Sequence, residues 1–396
     1  MKILFISHYD NMYGANRALL SLILGMQESG AHQPFVTLPA EGEFTEALRK
    51  AGVPYYICDI TQWQAIYKEP VSFMIKKQKR KKQIAAELEL LYAHYRNVGI
   101  DVIHSNSSVI GTGAMLAEKL GCMHVWHIRE FAQEHYGMEY FYPEEQVRKY
   151  YEQATCLVTI SDALKEYMRA KYPSARVLRI YDGVDAAEIP ERAADEGAGA
   201  KTEEGAKAEK NAKTEEIVRF VYVAYLFPKK QQLEVLQAAA ELKAGGLTNF
   251  RITFAGTGLA PYEKKLREYA KKNGLSEVEF AGFVSDIPGL LAKSDVGLMA
   301  SAYEGFGLVT VEYMLAGLPV IGFESGATPE IVTNETGFLY HDKEGFKDAV
   351  KRLVWDRELR RKLGEAGRRR ARECFPASAN TMAIRKLYDS LQAGGL

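Results

Sequence analysis

Two glutamates and the loop between them carry the chemistry that this chain can do. Glu304 and Glu312 stand with seven residues between them, and Gly305-Phe306-Gly307 follows the first directly. Ahead of them runs an apolar segment, Val296 to Met299. Behind the loop a helix-like segment, Leu308 to Ala316, closes at Gly317, and Pro319-Val320-Ile321-Gly322-Phe323 reads as a short buried strand. Glycine takes the left-handed conformation that ends a helix at no steric cost. A helix start leaves backbone N–H groups unpaired and gathers partial positive charge, and glycines ahead of it let a ligand approach the backbone. That arrangement suits a phosphate. Ionised carboxylates repel phosphate but accept hydrogen bonds from hydroxyls. A phosphate site flanked by hydroxyl acceptors fits a sugar, a diphosphate and a ribose joined together, which is a nucleotide sugar. A lone glutamate near a helix is more often a cap or a solvated side chain. Here a loop, two acids, a capped helix and a proline-led strand coincide.

Composition sets the bounds. The 396 residues exceed one ordinary core, so two domains are expected. Hydrophobic residues make up 47% and charged residues 26%, a globular balance. Lys+Arg and Asp+Glu number 51 each, so the formal charge is zero and nothing favours nucleic acid as a partner. Cys58, Cys122, Cys156 and Cys374 show neither metal-ligand nor disulfide spacing. Cys122 and Cys156 border apolar runs and read as core thiols, in keeping with a reducing cytoplasm. The opening Met1 to Ser7 has no signal-peptide pattern, and no stretch is long enough to span a membrane.

The elements that must position this chemistry alternate along the chain. Ile3 to Ser7 is a strand, Gly14 sits in the loop after it, and Ala18 to Met26 has a helical pattern. That is the opening of a doubly wound sheet. Val102 to Asn106 and Val125 to Ile128 are further strands. His104 and His124 read as satisfied, partly buried histidines. His127 and Arg129 end a strand, where ligand crevices of such sheets form. Ser161 can cap the helix Ala163 to Ala170. Pro70 to Gly99 reads as a helical insertion with Lys76, Lys77, Lys79, Arg80, Lys81 and Lys82 clustered near its start. Its sharp reading is contact with anionic lipid, its bland one a solvated basic face. From Glu191 to Glu216 the only apolar side chains are alanines, which predicts a flexible linker. In the second half Lys230 lies in the loop after the strand Arg219 to Val223, and Gly282-Phe283 ends another strand. Phe346 to Leu391 is helical, with Phe375-Pro376 as a kink.

Glu304, Glu312, the Gly-Phe-Gly between them and the following Gly-Leu-Pro-Val-Ile resemble the signature of the family-4 (group 1) retaining glycosyltransferases. The resemblance covers the chain outside the linker and the basic insertion. It implies the GT-B fold: α/β, two Rossmann-like doubly wound domains facing across a cleft, with a C-terminal helix crossing back to the N-terminal domain. The domains expected are 1–186 on the acceptor side (with the basic insertion at about 68–99), a linker at 187–216, a nucleotide-sugar domain at 217–375 and the returning helix at 376–396.

The resemblance also implies roles. Glu304 contacts the donor sugar and His127 assists at the reacting centre. Glu312 holds the ribose hydroxyls. Gly14, Lys230, Gly282, Phe283, Ser301, Gly305, Phe306, Gly307 and Leu308 complete the donor site, while Asn106 and Arg129 stand on the acceptor side. The implied activity is metal- and cofactor-independent transfer from a nucleoside-diphosphate sugar to a glycan or lipid-linked acceptor in bacterial surface polysaccharide or glycolipid synthesis. The cysteine usage and the lack of a signal or spanning pattern predict a cytoplasmic protein, and the sharp reading of the basic insertion adds peripheral contact at the inner face of an anionic membrane. The family commonly has Gly-Arg where this chain has Ala224-Tyr225. Losing that arginine removes a bidentate phosphate donor and keeps a second reading open, a non-catalytic nucleotide-sugar or glycan-binding subunit. A third reading, a dinucleotide-dependent enzyme, lacks Gly-x-Gly-x-x-Gly after the first strand.

Overall fold

A computed structural model describes residues 1–12, 14–66, 70–189 and 216–395. The expected linker therefore lies almost wholly outside the described residues. The chain forms two compact units. The first comprises Met1–Val184, Tyr303–Leu308 and Phe375–Leu396; the second comprises Asp185–Ala302 and Val309–Cys374.

The first unit contains β1 (Lys2–Ile6), β2 (Gln33–Leu38), β3 (Tyr55–Ile57), β4 (Gln64–Ile66), β5 (Val102–Asn106), β6 (Met123–Ile128), β7 (Met138–Tyr140), β8 (Cys156–Thr159) and β9 (Val177–Arg179). Seven of them make a parallel sheet in the order β3-β2-β1-β5-β6-β8-β9, and β4 and β7 pair antiparallel as a separate ribbon. Apolar runs such as Ile3-Leu4-Phe5-Ile6 are what a parallel sheet covered on both faces needs. Successive side chains point to opposite faces. Thus Ile3 and Phe5 pack with Leu19, Leu22 and Tyr388 on one side, while Leu4 and Ile6 pack with Leu91, Ile103 and Leu116 on the other.

The helix Ala377–Gln392 lays Ile384, Leu387, Tyr388 and Leu391 into the first of these cores. The returning C-terminal helix is thus part of the N-terminal unit. The helical stretch expected from Phe346 to Leu391 is three helices, Lys343–Trp355, Arg357–Cys374 and Ala377–Gln392, broken at Asp356 and at Phe375-Pro376.

The second unit holds β10 (Val218–Val223), β11 (Phe250–Ala255), β12 (Val278–Gly282), β13 (Val296–Met299), β14 (Val320–Phe323) and β15 (Gly337–Tyr340). They form a parallel sheet in the order β12-β11-β10-β13-β14-β15 around one core. Both sheets change direction of winding beside their first strand, between β1 and β5 and between β10 and β13. In open parallel sheets ligands bind outside the carboxyl ends of the strands at such points.

Two expectations need correction. Cys156 is buried, but Cys122 is only half-buried, because it precedes β6 on the turn after Gly121; Cys58 is the second buried thiol. His104 and His124 are fully buried rather than partly, since they lie inside a central sheet covered on both faces. No helix among the described residues is long and apolar enough to cross a membrane.

Candidate functional site

In the first unit the switch-point loops hold a buried polar network. Asn106 ends β5 and His127 lies near the end of β6, directly opposite it in register. Arg129 follows β6. Its Nε donates to Asn106 Oδ1 at 2.7 Å, its Nη1 pairs with Asp182 Oδ2, and its Nη2 lies 3.4 Å from His127 Nδ1. Asn106 Nδ2 in turn donates to the carbonyl of Ala15, 3.2 Å away, which ties the loop after β1 into the same cluster. His104 Nε2 meets His127 Nδ1 at 3.1 Å, and His104 Nδ1 meets the Tyr388 hydroxyl at 2.5 Å.

These contacts fix the protons. A guanidinium only donates, so His127 Nδ1 is an acceptor. His127 then carries its proton on Nε2, His104 donates from Nε2, and the Tyr388 hydroxyl donates to His104 Nδ1. Burial, followed by the Arg129 charge, holds both histidines well below the usual imidazole range, so both are neutral. Among the described residues His127 Nε2 has no hydrogen-bond partner, nor has Asp182 Oδ1, 4.0 Å away. An N–H donor and a carboxylate oxygen, both buried and unpartnered, leave a polar gap that costs free energy until something fills it.

Arg129 is only 8% exposed and Asn106 is buried. The polar groups of both are committed to holding the network rather than presented for direct contact with an acceptor. Glu130 does similar work. Its Oε1 accepts from Ser107 Oγ, Ser108 N and Ser108 Oγ at 2.8, 2.7 and 2.6 Å. Ser107 has φ 135°, a backbone strain that such bonds offset.

The loop Tyr303–Leu308 belongs to this unit. Gly305 lies so close to the carbonyl of Arg129 that an added Cβ would meet it at 2.3 Å. Glu304, half-buried, is therefore held one residue from a point fixed on the His127–Arg129 strand end. Gly14 starts the first helix, and a Cβ there would lie 3.4 Å from Leu308. The Phe306 ring packs with Tyr181 and Phe375, at centroid distances of 5.7 and 5.6 Å. What Phe306 offers a ligand is therefore backbone, not its ring.

In the second unit β13 ends before Ser301, which is fully buried and whose Oγ has no partner among the described residues. Ala302 N donates to the Lys229 carbonyl at 2.9 Å, joining the loop after β13 to the Lys229–Lys230 turn after β10. The lysines stand in a 3-10 turn, Pro228–Lys230, and the helix behind it begins only at Gln232. They therefore do not sit at a helix start opposing its dipole. The helix Leu308–Leu315 follows Gly307, whose φ is +89°, and Gly317 after it has φ +76°. Glu312 is 4% exposed. A solvated helix glutamate would not be. Nor does Glu304 cap this helix, which starts four residues later. Gly282 ends β12 with φ +69°, and its carbonyl accepts from Gly256 N at 2.6 Å, while Phe283 beside it is largely exposed. Tyr225, where the resemblance implies arginine, is exposed.

His104, Asp182 and Tyr388 are the members of the first network that the sequence did not single out for the site. Their only local signal is a histidine inside a strand and an acid in a turn; the contacts that matter span up to 284 residues.

The glycosyltransferase family 4 model matches residues 12–188, and the model for glycosyl transferases group 1 matches residues 203–370. The Bacillus subtilis (strain 168) protein named as glycosyltransferase EpsD is 31% identical over 288 residues, covering 68% of this chain and 72% of its own. The lipopolysaccharide core biosynthesis mannosyltransferase LpsB of Rhizobium meliloti (strain 1021) is 31% identical over 146 residues, 35% of this chain and 42% of that one. In fold the chain is similar to Anabaena Alr3699/HepE in complex with UDP-glucose. The TM-score is 0.77 at 20% identity, over 98% of this chain and 100% of that one.

Proposed function

The chain belongs to the group 1 glycosyltransferases of the GT-B fold, and from that premise we propose that it transfers a sugar from a nucleoside diphosphate to an acceptor hydroxyl with retention at the anomeric carbon. The bond from that carbon to the diphosphate breaks, the diphosphate takes the electron pair, and the acceptor oxygen forms the new bond and passes its proton to the departing diphosphate. Charge grows on the leaving diphosphate. The backbone N–H groups at Gly307 and Leu308, together with Lys230, are the preorganised positive groups for it. Glu312 holds the ribose hydroxyls, and Ser301, Gly305 and Phe306 add the loop around the sugar and phosphates. Gly14 brings backbone to the same ligand, and Gly282 with Phe283 serves the base. Glu304 orients the sugar. His127, its Nε2–H fixed by Arg129 and His104, donates to a sugar oxygen once donor binding opens its surroundings.

The observation that carries this reading is Glu312, a carboxylate buried on the helix behind a left-handed glycine. Glu312→Ala should lose donor affinity, and Glu304→Ala should lose turnover more than nucleotide binding. Calorimetry with UDP-, GDP- and ADP-sugars alongside a transfer assay reads both. Full activity in both variants would end the assignment.

The UDP-glucose complex of the HepE structure makes a UDP-sugar the first donor to try. The LpsB likeness supports a bacterial surface glycan or a lipid-linked one as the acceptor. We further propose that transfer needs no metal. Activity should survive EDTA, and activity lost to EDTA and restored by Mg²⁺ would refute this. One observation favours a second reading. Tyr225 stands exposed where an arginine would meet the diphosphate, as a non-catalytic nucleotide-sugar-binding subunit would allow. Donor hydrolysis or transfer by purified protein separates the two.

A further inference from the structure

The helix Pro70–Tyr95 has two unlike ends. Its C-terminal part is anchored: Ile84, Leu91 and Tyr95 are buried, and Leu91 and Tyr95 join the core beneath β1 and β5. Its N-terminal part is held by Phe73, whose ring lies 5.6 Å from that of Phe141. On the opposite side of those first turns Val71, Met74 and Ile75 are 72%, 67% and 68% exposed. At 100° per residue these three and Lys79 and Lys82 fall on one outward-facing half of the helix. Lys76, Lys77, Lys79 and Lys82 form no ion pair with the described residues. Lys81, by contrast, lies over the Tyr142 ring at 4.8 Å.

Single exposed apolar residues are ordinary, but three on one turn beside unpaired lysines are not. A helix end that leaves aliphatic side chains bare, with ammonium groups one and two turns behind them, matches a surface that is apolar inside and anionic at its edge. Long lysine stems reach back to such an edge while the apolar side chains go deeper.

We propose that this helix end docks on an anionic lipid bilayer. Val71, Met74 and Ile75 enter the acyl boundary, and Lys79 and Lys82 lie at the headgroup phosphates. Charge complementarity selects this occupant, because a second copy of the chain would set the same lysines against each other. The proposal is independent of the transfer reading, since it concerns residues outside the candidate site and its test uses no sugar nucleotide.

The test is co-sedimentation of the full chain with vesicles of phosphatidylglycerol and phosphatidylcholine, and with phosphatidylcholine alone. Binding is expected to the anionic vesicles only, and to weaken between about 50 mM and about 500 mM salt. Val71→Ser/Met74→Ser/Ile75→Ser should bind more than about tenfold more weakly, with an unchanged thermal transition. Each of Lys79→Gln and Lys82→Gln should cost about fivefold. Absence of binding at low salt overturns the proposal. So does binding that the serine variant retains in full. So does a dimer of the parent chain, seen by sedimentation equilibrium without vesicle binding, that the serine variant loses; that result would assign the face to a second copy.

Discussion

Acid should unfold the first unit through its buried histidines. His104, His124 and His127 are all buried and held neutral, chiefly by desolvation; for His124 burial lowers the pKa to about 3. In the unfolded chain each returns to about 6.5. Below that value the unfolded form binds protons that the folded form refuses, so stability is lost as pH falls from about 6.5. At about pH 5.5 each histidine contributes a loss of about 1.4 kcal/mol, and the three together about 4 kcal/mol. That is a large share of the stability of an ordinary domain. The network gives the loss a functional meaning. An imidazolium at His127 would turn its Nδ1 from an acceptor into a donor facing Arg129. One group acts the other way: burial raises the Glu87 carboxyl, which adds stability on acidification. The His124→Asn variant isolates the histidine share, because Glu87 is the same in both proteins. The assay is urea unfolding by fluorescence in a Trp355→Phe background, where the signal comes from Trp63 and Trp126, both in the first unit. Between about pH 7.5 and about pH 5.5, His124→Asn should lose about 1.4 kcal/mol less than its parent. Equal losses in the two proteins, or no loss in the parent, would refute the reasoning.

Two further substitutions test the network itself. Arg129→Met leaves Asp182 as a buried carboxylate without its partner and should cost about 3–5 kcal/mol, part of it recovered in Arg129→Met/Asp182→Asn; thermal unfolding of the three proteins reads this. Tyr388→Phe should cost about 1 kcal/mol by leaving His104 Nδ1 without its donor, while ¹⁵N NMR of His127 still shows Nε2–H alone, because the Arg129 guanidinium keeps Nδ1 an acceptor. A mixture of neutral tautomers at His127 would mean that Arg129 does not set it.

Local physics made much of this molecule readable. The strand, glycine loop and helix around Glu304 and Glu312 are where spacing put them, because each signal there is local: an apolar run, a left-handed glycine at Gly307, a second one at Gly317. Ser161 caps its helix as expected, its side chain accepting from Leu164 N. The ribbon of β4 and β7 was invisible, since strands of three residues carry too little periodicity. The polar network was legible only in part. His127 and Arg129 stood out as charged groups at a strand end, but what a buried guanidinium bonds to depends on Asp182, fifty-three positions away. His104 is satisfied, as its place in a strand predicts, but nothing local signals that one of its bonds reaches the final helix.

The placement of Ala377–Gln392 has a consequence for how the protein is made. The N-terminal unit draws Ile384, Leu387, Tyr388 and Leu391 into its core from a helix translated after the whole of the second unit. A nascent chain leaving the ribosome can complete the second Rossmann-like unit while the first still has an open flank, with Leu19 and Leu22 uncovered and His104 short of its hydroxyl. A premature stop before residue 377 would therefore harm the beginning of the protein more than the part it interrupts.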